Sequence, residues 1–257
     1  MRADLYLFTK GLVKSRQKAK TLIEDGNVTI DGKIINKPSF DLDEGASYDI
    51  KVKDPCPYVS RGGLKLEKIL DVCNISVDNK VAIDIGASTG GFTHCLLLRG
   101  AKKVFAVDSG TGQLDSMLLN DKRVVSIENY NARNINIDDI GESVDIITSD
   151  VSFISQIYII GSAVDLLKED GLYISLIKPQ FEVGKDKIGK GGIVKNKSHR
   201  LLGVMRVIDN FKLFGYKCIG FIISPITGGD GNVEYVAVFS KNGTEISEQI
   251  IKKIVLN

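Results

Sequence analysis

The first 26 residues place apolar side chains three or four positions apart, which is the spacing of amphipathic helices. Two short helices are predicted, with these apolar positions: Leu5, Phe8 and Leu12 in the first, and Ala19, Leu22 and Ile23 in the second. Ser15 is placed to cap the second helix, and Gly26 ends it. Asp31-Gly32 then separates two short apolar runs, which indicates a β-hairpin. Residues 1–52 are therefore predicted to form a small α+β domain.

From residue 60 onward, short apolar runs typical of buried strands alternate with helical segments. The predicted strands occupy residues 81–86, 103–107, 124–128, 144–149, 172–178, 217–223 and 234–239. This alternation is typical of an α/β fold with a doubly wound, mostly parallel sheet, here of seven strands. Because residues 53–59 contain two prolines and no periodicity, we place a linker there and a second domain at residues 60–257.

Composition excludes several classes of protein. Of the 257 residues, 43% are hydrophobic and 26% are charged, which is typical of a globular protein and not of a disordered or fibrous one. The apolar runs are far shorter than the roughly 20 residues of a membrane-spanning helix. Four cysteines without a C-x-x-C pair and two histidines give no basis for a zinc site or a disulfide framework. We expect a cytoplasmic protein without a metal or a membrane segment.

The net charge of +2 conceals a basic N-terminus. Residues 1–22 contain one acidic side chain, Asp4, and these basic ones: Arg2, Lys10, Lys14, Arg16, Lys18 and Lys20. Such an excess of positive charge attracts a polyanion such as RNA. Basic residues on a short helix are also commonly a solvated face, so both interpretations stay open on charge alone.

A glycine-rich turn follows the first strand of the second domain. It reads VAIDIGASTGGF from Val81 to Phe92 and lies where a parallel sheet binds ligands, at the carboxyl end of a strand. Glycines allow a ligand to approach the backbone closely, and the helix that follows presents free N–H groups. Asp108 ends the next strand and is placed to accept hydrogen bonds from ribose hydroxyls.

The spacing of these glycines favours one class of nucleotide-like cofactor. A dinucleotide-binding loop needs G-x-G-x-x-G, whereas three other residues separate Gly86 from Gly90 here. The D-x-G-x-x-x-G-G form resembles the first motif of class I S-adenosylmethionine methyltransferases; a dinucleotide site and a purely structural turn are the alternatives. The fourth strand ends in Asp150-Val151-Ser152-Phe153, without the two prolines common in enzymes that methylate exocyclic amines, so amine methylation is disfavoured.

Five segments in order resemble the TlyA (hemolysin A) family of ribosomal RNA 2′-O-methyltransferases, which is related to the FtsJ group. They read YVSRGGLKL (58–66), DIGASTGGF (84–92), SDVSFIS (149–155), KPQFEVG (178–184) and GNVEY (231–235). The first domain is similar to the RNA-binding module of ribosomal protein S4, known as the alpha-L motif. The resemblance implies a class I methyltransferase domain that transfers a methyl group from S-adenosylmethionine to a ribose 2′-hydroxyl of ribosomal RNA, on a cytidine.

The resemblance also implies a catalytic tetrad of Lys65, Asp150, Lys178 and Glu234. A ribose 2′-hydroxyl is a poor nucleophile at neutral pH, so its attack needs a positioned base or strong electrostatic help. We expect Lys178 to be the base or the oxyanion stabiliser, Lys65 to position the substrate and tune Lys178, and the two acids to hold the lysines. The residues expected to bind the cofactor are Asp84, Gly86, Ala87, Ser88, Thr89, Gly90, Gly91, Phe92, Asp108 and Asp150.

Structural roles stay open for two members of the tetrad. Lys178 at the end of a buried strand could simply form a salt bridge with Glu182 or Asp150, because an unpaired buried ammonium is costly. Asp150 could cap a helix that begins near Ser152, which does not exclude a role in catalysis.

The expected partner is ribosomal RNA or a ribosomal subunit, with no obligate protein partner and no membrane. The residues expected to contact RNA are Arg2, Lys10, Arg16, Lys18, Lys20, Arg61, Lys185 and Lys187. The last two belong to a glycine-rich basic segment, residues 184–192, which is interpreted as a loop over the active site or as an ordinary surface loop. The competing functions are a hemolysin-like membrane-active protein and a non-catalytic RNA-binding factor of ribosome assembly.

Overall fold

A computed structural model of the chain describes residues 1–13, 15–228 and 231–257. Lys14, one of the basic residues noted above, lies outside these ranges. The chain divides into two compact units, Met1–Pro57 and Tyr58–Asn257. The predicted linker is therefore shared between the two units.

The first unit contains two helices and a small antiparallel sheet. Its elements are α1 (Ala3–Thr9), α2 (Arg16–Glu24), β1 (Val28–Ile30), β2 (Lys33–Ile34) and β3 (Ile50–Val52). The strand order is β2-β1-β3. The Ser15 side chain accepts a hydrogen bond from the Lys18 N–H, as an N-cap residue should. Asp31 and Gly32 both have positive φ, at 49° and 76°, which is the backbone geometry of the predicted tight hairpin.

The core of this unit confirms one predicted helix face and corrects the other. Ala19, Leu22 and Ile23 of α2 are buried, as expected. In α1 the buried apolar residues are Ala3, Tyr6 and Leu7, whereas Phe8 and Leu12 are exposed. The predicted stripe was wrong because α1 starts at Ala3 and ends at Thr9, which leaves Leu12 outside the helix and sets the inner face at positions 3, 6 and 7.

The second unit is a seven-stranded sheet with helices between most strands. Its strands are β4 (Val81–Ile85), β5 (Lys103–Val107), β6 (Val124–Ile127), β7 (Val144–Ser149), β8 (Leu167–Ile177), β9 (Lys217–Ile223) and β10 (Tyr235–Ser240). Its α-helices are α3 (Gly62–Val72), α4 (Gly91–Leu98), α5 (Ser116–Leu119), α6 (Ile137–Ile140), α7 (Ile157–Val164), α8 (Pro179–Glu182), α9 (Lys197–Leu213) and α10 (Glu248–Leu256). Short 3-10 turns span Ala132–Asn134, Lys185–Lys187 and Lys190–Gly192.

The strand order β6-β5-β4-β7-β8-β10-β9 is that of a doubly wound sheet in which β10 alone runs antiparallel to its neighbours. This confirms the predicted α/β fold. β8 begins at Leu167 and not near residue 172, because the additional residues continue the ladder with β7 across an irregularity between Val144 and Ile146.

Helices cover both faces of this sheet. One apolar cluster joins alternate strand residues such as Ile83 and Ile85 to side chains of α7, α9 and α10. Helices α3 and α4 contact the strands without contributing to that cluster, so they lie on the opposite face. Among the described helices, none has the length and apolar character needed to cross a bilayer.

Candidate active site

The carboxyl ends of β4, β5 and β7 surround a cleft of about 390 Å³. This size falls within the range of pockets that bind small molecules. Four of the residues predicted to bind a cofactor line it, namely Gly86, Ser88, Asp108 and Asp150. The other six lie outside its lining: Asp84, Ala87, Thr89, Gly90, Gly91 and Phe92.

The glycine loop depends on glycine for both conformation and space. Gly86 has φ +80°, and a Cβ atom there would lie 2.6 Å from the carbonyl oxygen of Asp150. Gly90 has φ +94°, and its Cβ would lie 2.1 Å from Cδ1 of Leu118. Left-handed backbone disfavours other residues, and contacts this short are excluded by sterics. Gly86 therefore lets the backbone after β7 cross directly beside the glycine loop, while Gly90 allows Leu118 to pack against it.

Asp84 lies beneath the loop and does not face the cleft. Its carboxylate is fully buried and accepts hydrogen bonds from the Thr93 N–H at 2.9 Å, the Thr93 hydroxyl at 2.7 Å and the Thr148 hydroxyl at 3.0 Å. Burial raises the pKa of Asp84 to about 6, and the threonine hydrogen bonds act in the opposite direction. Asp84 therefore ties the start of α4 to β4 and β7, and its predicted contact with a cofactor stays a prediction.

Asp108 joins the two loops that form one wall of the cleft. Its carboxylate oxygens accept hydrogen bonds from the backbone N–H groups of Ser88 and Gly110, each at 2.7 Å. A carboxylate has about four acceptor positions, so this side chain can still accept hydrogen bonds from a ligand.

The tetrad residues form two lysine–carboxylate pairs. Lys178 Nζ lies 2.6 Å from Asp150 Oδ1 and donates a hydrogen bond to the Ser152 hydroxyl at 2.8 Å. Lys65 Nζ, which projects from α3, lies 2.5 Å from Glu234 Oε2. The two lysine side chains are each 10% exposed.

Strand pairing brings the two pairs together. Ile177 of β8 lies opposite Tyr235 of the antiparallel strand β10. The next residues outward, Lys178 and Glu234, are therefore neighbours at the end of this ladder. The four side chains come from distant parts of the sequence. They lie at the end of the sheet where β7 and β8 finish and β10 begins, next to the cleft that Asp150 lines.

Comparison with protein families assigns both units. Residues 58–241 match the FtsJ-like methyltransferase model, and residues 1–47 match the S4 domain model. The chain belongs to the FtsJ-like methyltransferase family. The resemblance inferred from sequence motifs is thus confirmed, and the protein is an enzyme of the methyltransferase class.

Named relatives and solved structures cover nearly the whole FtsJ-like methyltransferase. It is 42% identical over 240 residues to Hemolysin A of Brachyspira hyodysenteriae, covering 93% of this chain and 99% of the relative. It is 41% identical to the 16S/23S rRNA (cytidine-2'-O)-methyltransferase TlyA of Mycobacterium tuberculosis, covering 91% of this chain and 87% of the relative. A solved structure from Streptococcus thermophilus that carries the name hemolysin superposes with a TM-score of 0.79 at 39% identity, covering 100% of this chain and 94% of that one.

The structure shows which carboxylate pairs with Lys178 in this methyltransferase, and the catalytic roles of Lys178 and Asp150 stay predictions. The ion-pair partner of Lys178 is Asp150, and Glu182 instead bonds to Ser155 and Gln156. Asp150 does not cap a helix, because α7 begins only at Ile157. The loop from 150 to 156 is therefore an irregular segment held by side chains.

Some residues that line the cleft were not among the predicted site residues. These polar and aromatic residues also line it: Ser109, Gln113, Tyr130, Asn131, Ser152 and Phe153. Phe153 is 93% exposed and has φ 64°, an unusual backbone conformation for an aromatic residue, and its ring centroid lies 5.4 Å from that of Phe181. The SDVSFIS motif drew attention to this segment, but no sequence signal distinguishes an exposed phenylalanine from a buried one.

The predicted RNA-binding residues of the S4 unit are mostly ion-paired. Arg2 and Arg16 contact the buried carboxylate of Asp4, at 3.0 Å and 2.9 Å. Lys18 pairs with Asp54 at 2.7 Å, Lys20 lies 3.9 Å from Glu24, and Lys10 lies 5.4 Å from the centroid of the Tyr6 ring. These contacts reduce the free positive charge below what the sequence count indicated. Arg61 and Lys185 are exposed, and Lys187 pairs with Asp186 at 2.6 Å.

Proposed function

We propose that this FtsJ-like methyltransferase transfers a methyl group from S-adenosylmethionine to the 2′-hydroxyl of a cytidine in ribosomal RNA. The observation that carries the proposal is the pairing of Lys178 with Asp150 and of Lys65 with Glu234 beside the cleft. Support for cytidine and ribosomal RNA comes from the names of relatives, which include a 23S rRNA (cytidine-2'-O)-methyltransferase TlyA of Campylobacter jejuni, 36% identical over 261 residues.

The residues of the cleft fit S-adenosylmethionine. Ile85, Val107 and Ile159 give the cleft an apolar part, and Asp108 adds a carboxylate at its wall. Asp108 and Ser88 would hold the ribose part of the cofactor, and Gly86 would allow close approach of the backbone. When bound, S-adenosylmethionine supplies a methyl group on a positively charged sulfur that leaves as a neutral thioether.

Lys178 is the proposed catalytic residue. Asp150 and Ser152 hold its ammonium nitrogen in one place at the end of β8. There, as a neutral amine, Lys178 would accept the proton of the 2′-hydroxyl; as an ammonium, it would instead stabilise the negative charge that develops on the oxygen. Each mode needs a fixed nitrogen in a site with little water, and the 10% exposure of this side chain meets that requirement.

Lys65 is the proposed positioning cation. Its pair with Glu234 is buried, and strand pairing makes Glu234 a neighbour of Lys178. A second lysine at this position would contact the ribose or the adjacent phosphate of the RNA. When no RNA is bound, each carboxylate balances the positive charge of its own lysine, so neither pair carries a net charge.

Recognition of RNA is assigned to exposed positive and aromatic side chains. The segment from 184 to 192 carries Lys185, Lys187 and Lys190, which are suited to phosphate contacts. Phe153 offers an exposed ring at the cleft, and aromatic rings bind unstacked bases by stacking. In the S4 unit, Lys10 and Lys20 are exposed and would add sequence-independent attraction to the RNA backbone.

The nature of the product tests this function. The protein is incubated with ribosomal subunits from cells that lack it and with methyl-labelled S-adenosylmethionine, and the RNA is digested to nucleosides. We expect the label in 2′-O-methylcytidine. Label in a methylated base, or no label in RNA of either subunit, would contradict the proposed function.

A further inference from the structure

A buried carboxylate that the proposed reaction does not use lies behind the active site. Glu182 ends α8, four residues after Lys178, and is 1% exposed. The Ser155 hydroxyl donates a hydrogen bond to one of its oxygens at 2.5 Å, and the Gln156 N–H donates to the other at 2.9 Å. Ser155 and Gln156 end the loop that begins at Asp150. Glu182 therefore joins the segment that carries Lys178 to the segment that carries its ion-pair partner.

The side chain of Gln156 makes a second connection between the same two segments. Its Oε1 accepts a hydrogen bond from the Ser149 hydroxyl at 2.9 Å, and its Nε2 donates to the carbonyl oxygen of Leu176 at 3.1 Å. Ser149 immediately precedes Asp150, and Leu176 lies two residues before Lys178. The loop from 150 to 156 is thus attached to β7 and β8 through Gln156, and the backbone N–H of Gln156 is attached to Glu182.

Helix α9 holds Glu182 from the other side. The Arg206 guanidinium donates a hydrogen bond to the carbonyl oxygen of Glu182 at 2.8 Å. At Gly203 a Cβ atom would lie 3.2 Å from Cβ of Glu182 and 3.3 Å from Cα of Pro179, so the two helices are in close contact there. Because α9 is long and packed into the core, α8 has a rigid support.

The contacts of Glu182 are hydrogen bonds and not an ion pair. Within the parts of the chain that the structure describes, no lysine or arginine nitrogen lies within 4.0 Å of its carboxylate. Burial raises the pKa of Glu182, and the bonds from Ser155 and Gln156 and the nearby charge of Arg206 oppose that effect. A buried carboxylate without a direct ion pair is costly, and both oxygens of Glu182 bond to the same loop, so we look for a structural role in that loop.

We propose that Glu182 is a positioning residue for methyl transfer, which holds the loop from 150 to 156 so that Asp150 and Ser152 remain in contact with Lys178. The inference rests on the proposed function, because it assumes that Lys178 acts on the 2′-hydroxyl. It assigns a role to a side chain that touches neither the cleft nor the lysine nitrogen. If the loop moved by about 1 Å, Asp150 would no longer hold Lys178 in the position that methyl transfer requires. A displacement of this size can lower a catalytic rate about a hundredfold.

Two substitutions at Glu182 separate positioning from charge. Glu182→Gln keeps the geometry, because its oxygen can accept from the Gln156 N–H and its NH₂ group can donate to the Ser155 hydroxyl. Glu182→Ala removes both bonds. We expect Glu182→Ala to lower the single-turnover rate at saturating cofactor and RNA by roughly tenfold to a hundredfold, with RNA affinity unchanged and a displaced pH–rate profile. Glu182→Gln should rescue most of the rate.

The readouts distinguish positioning from a loss of folding. Each variant is assayed well below its own melting temperature, and amide hydrogen exchange of residues 150–156 is recorded with and without RNA. Faster exchange confined to this loop in Glu182→Ala, together with the lower rate, supports the proposal. Equal rates for the two Glu182 variants, or an unchanged pH–rate profile in Glu182→Ala, would overturn it.

Ser155→Ala serves if Glu182→Ala does not fold, since it removes a single hydroxyl. A lower rate with an unchanged melting temperature supports the proposal, and an unchanged rate overturns it. Failure of the proposed function looks different, because the wild-type protein would then leave ribosomal RNA unlabelled. In that case the exchange data decide on their own whether Glu182 holds the loop.

Discussion

At the scale of one residue, the buried carboxylate of Asp84 makes the stability of the fold depend on pH. Its pKa is about 6 in the folded protein and near 3.9 in an unfolded chain. Between these values the unfolded chain has lost the proton that the folded state still holds, so stability falls as pH rises from about 4 to about 6. Asp84→Asn, which keeps hydrogen bonds to Thr93 and Thr148, should lack this fall.

Urea unfolding from pH 4 to pH 7 measures the effect of Asp84. The wild-type free energy of unfolding should decrease relative to that of Asp84→Asn by up to about 3 kcal/mol over this range. Parallel curves for the two proteins would show that Asp84 is ionised throughout in the folded state.

The position of Asp84 was predictable from the sequence only in part. The D-x-G motif placed an acid beside the cofactor loop, and the structure puts it next to that loop but on the far side of the strand. Side chains alternate along β4, and Ile83 and Ile85 belong to the cluster with α7 and α9, so Asp84 points toward α4. The alternation of side chains along β4 was predictable from the sequence. Which of its side chains face the cleft depends on the order of the strands in the sheet.

At the scale of elements, the strands were predictable and their arrangement was not. All seven strands of the large sheet lie where apolar runs indicated, because buried parallel strands have a strong local signal. The insertion of β10 between β8 and β9, and the register that sets Tyr235 opposite Ile177, have no local signal. That register makes Glu234 a neighbour of Lys178. The resemblance predicted that the four tetrad residues lie close together, and the strand pairing explains how they do.

The turn between β4 and α4 gives a prediction about one element. Gly86→Ala places a methyl group against the Asp150 carbonyl in a left-handed backbone, so it should displace the loop and abolish cofactor binding. Gly141→Ala is the matched control, because Gly141 has φ +81°, nearly that of Gly86, and a Cβ atom added there would meet no other atom within 4 Å. The control should lose only about 1–2 kcal/mol of stability.

Calorimetric titration with S-adenosylmethionine and thermal melting compare the two alanine variants. We expect cofactor binding by Gly141→Ala and none by Gly86→Ala. Normal cofactor affinity in a folded Gly86→Ala protein would remove the glycine loop from the binding site.

At the scale of the whole molecule, charge was the least reliable guide. A count of basic residues near the N-terminus overstated the free positive charge, because Arg2 and Arg16 share the buried Asp4 as their partner. Ion pairs between residues distant in sequence cannot be read from a count. The boundary between the two units, after Pro57, lies where helical spacing changes to alternating strands and helices.

The exposed lysines of the S4 unit predict a salt-dependent contribution to RNA affinity. The double variant Lys10→Ala/Lys20→Ala should bind ribosomal RNA more weakly, and the slope of log affinity against log salt should fall by about 0.9 for each phosphate that is no longer neutralised. Lys252→Ala, in the last helix and paired with Glu248, is the control and should leave the slope unchanged. Filter binding across a salt series measures both. An unchanged slope in the double variant would place the RNA contacts elsewhere.

The most direct measurement is the single-turnover rate of Lys178→Ala on ribosomal subunits at saturating S-adenosylmethionine, beside Lys217→Ala, which removes an exposed lysine from β9. We predict that Lys178→Ala loses about a hundredfold or more in rate while cofactor and RNA affinities are retained, and that Lys217→Ala matches the wild type. Methyl transfer by Lys178→Ala at a rate close to that of the wild type would contradict the proposal that this lysine makes the ribose hydroxyl reactive.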